Sequence, residues 1–371
     1  MSQLQGLDFI VNKAAWNETR WETPRIDSDL PPGQVLFRVD RFALTANNIS
    51  YAMAGDALGY WRFFPAKAGS GRIPAMGFGD VVASTHDGVA VGTRCFGFYP
   101  MSKYLVIEPS SATATSIVDG AAHRDGLAPI YNQYQPVTGD AMYAADREDE
   151  LMLLRGLFMT SFLAEDFLSD AGLYGAKSVL ISSASSKTSI ALAFVLSKKG
   201  DAKAIGLTSP GNVDFVKGTG FYDEVVTYDE IGGLRNDAPV VFVDMAGDDK
   251  VSRGIHEHFG DNLVYSQRIG GTHWDAAGDG ADVPGVKREF FFAPGQIKKR
   301  LAEWGPQGLQ ERLGSCWSAF QDSSGRWLRV ERCYGRDALE RVYADTLAGS
   351  ARPDVGHVAS VWENAGAASG R

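Results

Sequence analysis

Residues 175–230 constrain this chain more than any other stretch. Ser178–Ser182 (SVLIS) is a short, apolar, β-branched run of the kind that makes a parallel strand buried on both faces. Small or polar residues then fill 183–189, and Ile190–Leu196 resumes an apolar helical pattern that Gly200 closes. Ala204–Thr208 reads as a second strand, and Val213–Gly218 starts a second helix. Two strand–helix units of this length make a right-handed, parallel, mononucleotide-binding half.

The turn inside that half departs from the usual glycine pattern. A dinucleotide turn uses glycines so that the backbone can bend tightly, approach a pyrophosphate and let helix pack on strand. Here Ser183, Ser186 and Ser189 hold that spacing, with Ser185, Lys187 and Thr188 between them. Serine is small, and its hydroxyl can bond a phosphate or cap a helix start. Lys187 adds a cation where exposed helix N–H groups already favour an anion. The plainer reading is a serine-rich capping turn that binds nothing.

At 371 residues, two domains are the natural expectation. A formal charge of −9, with no clustered Lys/Arg stripe, argues against a nucleic-acid partner. No apolar run approaches the ~18–20 residues of a membrane span, and the N-terminus has no signal-peptide or transit-peptide pattern. Cys95, Cys316 and Cys333 lie far apart, which suits a reducing cytoplasm and gives no case for structural zinc.

Residues 1–109 read as β-rich. Gln34–Arg41 alternates like a half-buried strand, Ala46–Ala54 is helix-like and carries Asn48 and Tyr51, and Tyr60, Trp61, Phe63 and Phe64 form an aromatic cluster. Ile73–Ala83, Gly92–Phe98 and Tyr104–Glu108 are further strands, a spacing that suggests a partly open barrel. Residues 110–150 have the weakest pattern and read as an insertion able to act as a lid; Tyr131 and Tyr134 lie in it. Beyond Glu230, Val240–Asp244 and Asn262–Ser266 continue the strands, and Val358–Trp362 is a last strand that can return to the first domain.

Taken in order, PGQVLFRVDRFALTANNISYAMAGD, IPAMGFGDVVAS, GVAVGTRCFGF, GAKSVLISSASSKTS, DEVVTYDE, VVFVDMAGDDKV and NLVYSQRIGGTHW resemble the zinc-independent medium-chain dehydrogenase/reductases, on the quinone and enoyl reductase branch. TANN, SSASSKT, VDMAGD and GTHW point within it to a divergent bacterial subgroup. The resemblance implies an α/β fold: a Rossmann-type doubly wound parallel sheet plus a partly open, GroES-like β-barrel domain. It divides the chain into a catalytic domain at 1–165, a nucleotide domain at 166–300, and a segment at 301–371 returning to the first. It also implies NADP(H) as the cofactor, hydride transfer to or from a small molecule, and a homodimer.

Cofactor choice turns on the end of the second strand. A carboxylate there would bind the ribose hydroxyl of NAD(H). The chain instead has Thr208, Ser209 and Asn212, with Tyr228 at the family's matching tyrosine, which places NADP(H) ahead of NAD(H). Ala246, Gly247, Gly270, Thr272 and Phe292 match positions that line the nicotinamide and its ribose in this family, and Thr160 matches a small hydroxyl residue at the start of its Rossmann lobe, a further cofactor-binding candidate. For catalysis, Tyr51 stands three residues after Asn48, on one helix face. Tyr51 can give a proton to a developing enolate and Asn48 can hold a carbonyl. His273 is the rival acid–base group. The leading function is reduction of an activated C=C or C=O in an apolar or aromatic molecule, without zinc. The alternatives are a lyase or isomerase on the same scaffold, with no net redox change, or a binding protein that is not an enzyme.

Overall fold

The computed structural model describes residues 3–269 and 283–364. The chain divides into two compact units, Met1–Leu153 with Arg329–Arg371, and Leu154–Leu328. These divisions differ from the 165/166 and 300/301 boundaries expected from sequence. Aromatic packing explains the shift: Phe158 lies 5.3 Å from Phe320 and 5.4 Å from Trp317, and Phe194 lies 5.2 Å from Phe320. Residues on either side of the expected boundaries therefore share the second unit's core.

The first unit is built on a nine-stranded sheet. Its central strand, Val35–Leu44, pairs antiparallel with Pro74–Ser84 and Tyr104–Ile107, while its end pairs with Val355–Ser360 from the far end of the chain. Phe37, Phe42, Phe63, Phe64 and Phe98 are each about 1 % exposed or less and form the core. The weakly patterned insertion is ordered into this sheet, through Pro109–Ala112, Ile117–Asp119 and Gln133–Pro136. Its strands are short and polar on one side, so ladder pairing rather than local sequence fixes them.

Helix α1, Ala46–Met53, follows the central strand and carries Tyr51. The turn Tyr60–Arg62 is held beside it by Trp61. A Cβ at Gly55 would lie 2.0 Å from Trp61 Nε1, and one at Gly71 2.4 Å from Trp61 Cε3. Only glycine at both positions leaves room for the indole that locks this turn.

In the second unit, helix α2 (Glu148–Asp170), which begins in the first unit, leads into a six-stranded sheet. Its strands are β1 (Ser178–Ile181), β2 (Lys203–Thr208), β3 (Glu224–Thr227), β4 (Val240–Asp244), β5 (Leu263–Arg268) and β6 (Arg288–Phe290). They run parallel in the order 3-2-1-4-5-6, that of a dinucleotide-binding sheet. Helices α3 (Lys187–Lys199), α4 (Val213–Thr219) and α5 (Asp249–Phe259) alternate with the strands. Helix α6, Ala293–Ser324, follows β6 and is kinked at Gly305–Pro306, where the proline removes a helical donor. The order of β1 and β4 makes the carboxyl ends of those two strands the switch point, where such sheets bind ligands.

Candidate active site

Most of the polar residues singled out from sequence in the second unit gather at the carboxyl ends of β1 to β4. Ser186 caps α3, accepting from the Ser189 N–H at 3.2 Å, and donates to Ser189 Oγ at 2.9 Å. Ser189 in turn donates to the Ser182 carbonyl at 2.9 Å and is fully buried. These two hydroxyls therefore shape the turn rather than project from it, which is how serine stands in for the close-packing glycines.

Ser183 sits in the left-handed region at φ 52°. Its N–H donates to the Tyr228 hydroxyl at 3.0 Å, and burial raises that phenol above its ordinary range. A left-handed serine costs about 1 kcal/mol or more that glycine does not incur. Ser183→Gly is accordingly expected to stabilise the protein by about 0.5–1 kcal/mol, after allowance for glycine's greater freedom when unfolded. Urea denaturation checks this, and a lowered midpoint would contradict it.

Asn212 joins two turns. Its Nδ2 donates to Ser185 Oγ and to Ser209 Oγ, both at 3.1 Å. Next to them Thr208, 1 % exposed, ends β2 with its Oγ1 unpartnered among the described residues. The Thr188 carbonyl accepts from Ser161 Oγ at 2.8 Å, tying the start of α3 to α2. Thr160, one position earlier on α2, donates to the Gly156 carbonyl along its own helix. Lys187 is the first residue of α3.

Sequence reasoning passed over Asp244, which organises the switch point. It is fully buried at the end of β4 and accepts from Ser182 Oγ at 2.9 Å, Ser252 Oγ at 3.2 Å, and the N–H groups of Ala246 and Gly247 at 3.1 and 2.9 Å. Ser182 Oγ accepts in return from the N–H groups of Met245 and Ala246. A carboxyl closing the all-apolar run VVFV was the signal for it. Phe292 precedes α6 and is 48 % exposed. Gly270, Thr272 and His273 lie outside the described residues.

The first unit brings Tyr51 into an aromatic cluster. Its ring centroid is 4.7 Å from that of Tyr60, 5.3 Å from Phe98 and 6.2 Å from Tyr131. Burial first, and then the neighbouring phenols, push the Tyr51 hydroxyl well above the usual tyrosine range. Asn48 has a different role from the one expected. Its Oδ1 accepts from the Thr45 N–H at 2.6 Å and its Nδ2 donates to the Pro74 carbonyl at 2.8 Å. The amide is committed to starting α1 and fastening it to the sheet, so it positions Tyr51 instead of offering itself to a carbonyl.

Among the described residues no three His, Cys, Asp or Glu groups gather as a metal site. His256 faces Ser266 Oγ and the Pro284 carbonyl, while His258 faces the Leu234 carbonyl. No described helix is long and apolar enough to cross a membrane.

The family described as "Protein of unknown function (DUF2855)" matches residues 42–352. Among solved structures, CurA from Vibrio vulnificus in complex with NADPH is similar, with a TM-score of 0.61 and 12% identity, covering 96% of this chain and 100% of that one. An Etr1p mutant in complex with NADP and crotonyl-CoA has a TM-score of 0.57 and 12% identity, over 97% and 100% of the two chains. The yhdH oxidoreductase from Salmonella enterica in complex with NADP has a TM-score of 0.52 and 12% identity, over 97% and 99%. No protein with a curated description matches the sequence. What these structures share with this chain is the fold, a Rossmann-type parallel sheet plus a GroES-like β-rich domain, which is the fold class expected from the sequence.

Proposed function

The chain belongs to the DUF2855 family, and from the fold it shares with NADP-bound oxidoreductases we propose that it is an NADP(H)-dependent oxidoreductase, reducing an activated C=C or C=O in a small to medium apolar or aromatic substrate without zinc. The observation carrying this reading is the polar set at the carboxyl ends of β1 to β3, with Thr208 Oγ1 buried and unpartnered within it. An orphaned buried hydroxyl costs stability unless something bonds it. A nucleotide phosphate or ribose oxygen fits that need.

The start of α3, with its N–H groups and Lys187, would hold the pyrophosphate. Thr208, Ser209, Asn212 and Tyr228 supply donors without a carboxylate, a chemistry that suits a 2′-phosphate better than a free ribose hydroxyl. Thr160, Ala246, Gly247, Gly270, Thr272 and Phe292 would line the nicotinamide end. When bound, the dinucleotide supplies the hydride. Tyr51 gives the proton: burial keeps its hydroxyl neutral, so the proton is present to be given. His273 is the second candidate for that role. Edge strand β6, which ends on Phe290 at 43 % exposure, is where a second copy would add to form a homodimer.

NADPH is expected to raise the thermal midpoint and NADH far less. Ligand at a hundredfold excess over Kd adds about 2.7 kcal/mol of stability. No shift with either nucleotide sinks the reading. That result would favour the lyase or isomerase alternative, which the self-bonded Ser186–Ser189 pair supports, and which turns over substrate with no change in reduced-nicotinamide absorbance.

A further inference from the structure

Successive residues of β5 point to opposite faces of the sheet. The Ser266 hydroxyl meets His256 of α5 at 3.0 Å, so Gln267 projects from the other face, which Tyr265 shares. On that face the Tyr265 ring lies 5.9 Å from Phe167 of α2 and stacks on Tyr174 at 4.2 Å. Val243 of β4 stands in register with Gln267, and Ile181 of β1 in register with Val243. Both are apolar and 0 % exposed. An amide is out of keeping with that row.

Gln267 is itself 0 % exposed, so bulk water serves neither end of its side chain. Neither Oε1 nor Nε2 has a partner among the described residues, and no other described residue leaves two buried side-chain atoms in that state. Each orphaned polar atom costs stability that leucine or methionine would not cost here. A ligand offering one donor and one acceptor side by side satisfies both atoms.

Position narrows the choice of ligand. Gln267 precedes Arg268, the last residue of β5. Its backbone therefore lies about 3.3 Å below the carboxyl edge of the sheet, within reach for a head carried on two methylenes. Ligands of such sheets bind along that edge, and β4 to β6 form the half beyond the switch point. With the pyrophosphate at the start of α3, that half receives the nicotinamide end of a dinucleotide. The group there with a donor and an acceptor on one carbon is the carboxamide.

We propose that Gln267 recognises the nicotinamide carboxamide, its Nε2 donating to the carboxamide oxygen and its Oε1 accepting from the carboxamide N–H, which fixes the orientation of the ring. This role rests on the reading that the chain binds NADP(H).

The test is calorimetric binding to the full-length protein with three probes. They are NADP⁺, its 3-acetylpyridine analogue, which keeps the carbonyl and loses the amide donor, and 2′-phospho-ADP-ribose, which lacks the pyridine ring. The unaltered protein is expected to bind NADP⁺ on the order of tenfold more tightly than the analogue. Gln267→Met should abolish that preference and leave 2′-phospho-ADP-ribose binding unchanged. Without nucleotide, the same variant should match or exceed the parent's urea midpoint, because it loses only orphaned atoms, whereas a purely structural amide would lower it. Equal affinity of the unaltered protein for NADP⁺ and the analogue overturns the proposal with no variant needed. A preference that survives in Gln267→Met, weakened 2′-phospho-ADP-ribose binding, or a lowered midpoint overturns it as well. If 2′-phospho-ADP-ribose binds but NADP⁺ has no preference over the analogue, this role fails alone. If none of the three probes binds, the reductase reading falls and this role falls with it.

Discussion

Replacing Arg124 by methionine is expected to cost the protein about 3–5 kcal/mol of stability. Arg124 and Asp119 are each 1 % exposed in their side chains, with Arg124 Nε 2.8 Å from Asp119 Oδ2. Asp119 also accepts from the N–H groups of Glu108 and Ala121, both at 3.1 Å, and Arg124 donates to the Tyr134 hydroxyl at 3.1 Å. The guanidinium further lies over Phe64 at 5.2 Å. Methionine keeps much of the apolar volume but leaves the Asp119 carboxylate buried without its counter-charge. Removing one partner of such a pair is far costlier than replacing both. The Arg124→Met/Asp119→Asn double variant should therefore lose clearly less than the two single losses added together. Urea denaturation of the four proteins measures the cycle, and a loss below about 1 kcal/mol for Arg124→Met would mean the pair contributes little.

Asp244→Ala is expected to lose about 3 kcal/mol or more, and to weaken the NADPH-induced stabilisation. The carboxyl is fully buried and accepts from two hydroxyls and two backbone N–H groups. Alanine leaves the fully buried Ser182 and Ser252 hydroxyls without the acceptor they share, and buried unpaired donors cost about 1–3 kcal/mol each. The Ala246 N–H keeps Ser182 Oγ at 3.0 Å, so the losses do not simply add. Asn retains one acceptor oxygen and should lose less. Denaturation compared with nucleotide thermal shift separates the two effects. If Asp244→Ala unfolds within about 1 kcal/mol of the parent, the turn after β4 has another support.

The second unit was legible in the sequence because its strands are short apolar runs buried on both faces. Val240–Asp244 matches its expected bounds, and β2 begins one residue earlier than the pattern suggested. Spacing could not show where hydroxyls point. Ser186 and Ser189 turn towards each other, whereas Ser185 reaches Asn212 across a neighbouring turn. Asn48 was legible as a polar residue on α1, but its partner, the Pro74 carbonyl, is 26 residues away. Likewise the insertion gave no periodic signal, because its strands are three or four residues long and rely on partners for their register. Tyr131 therefore stood out only as one of several tyrosines until the fold placed it against Tyr51, Tyr60 and Phe98.

The strand Val355–Ser360 has a consequence for how the chain matures. It joins Val35–Leu44 to the end strand Arg329–Tyr334 of the first unit's sheet, and Ser360 Oγ donates to the Asp40 carbonyl 320 residues earlier. During synthesis, Leu154–Leu328 emerges in full before that strand exists, so the parallel-sheet unit can fold while the barrel's seam is still open. Until the ribosome delivers residue 360, Phe42 and Leu44 border an unpaired strand edge, the kind of surface that invites wrong pairing with other chains. The late strand acts as a stitch that closes this edge of the sheet last.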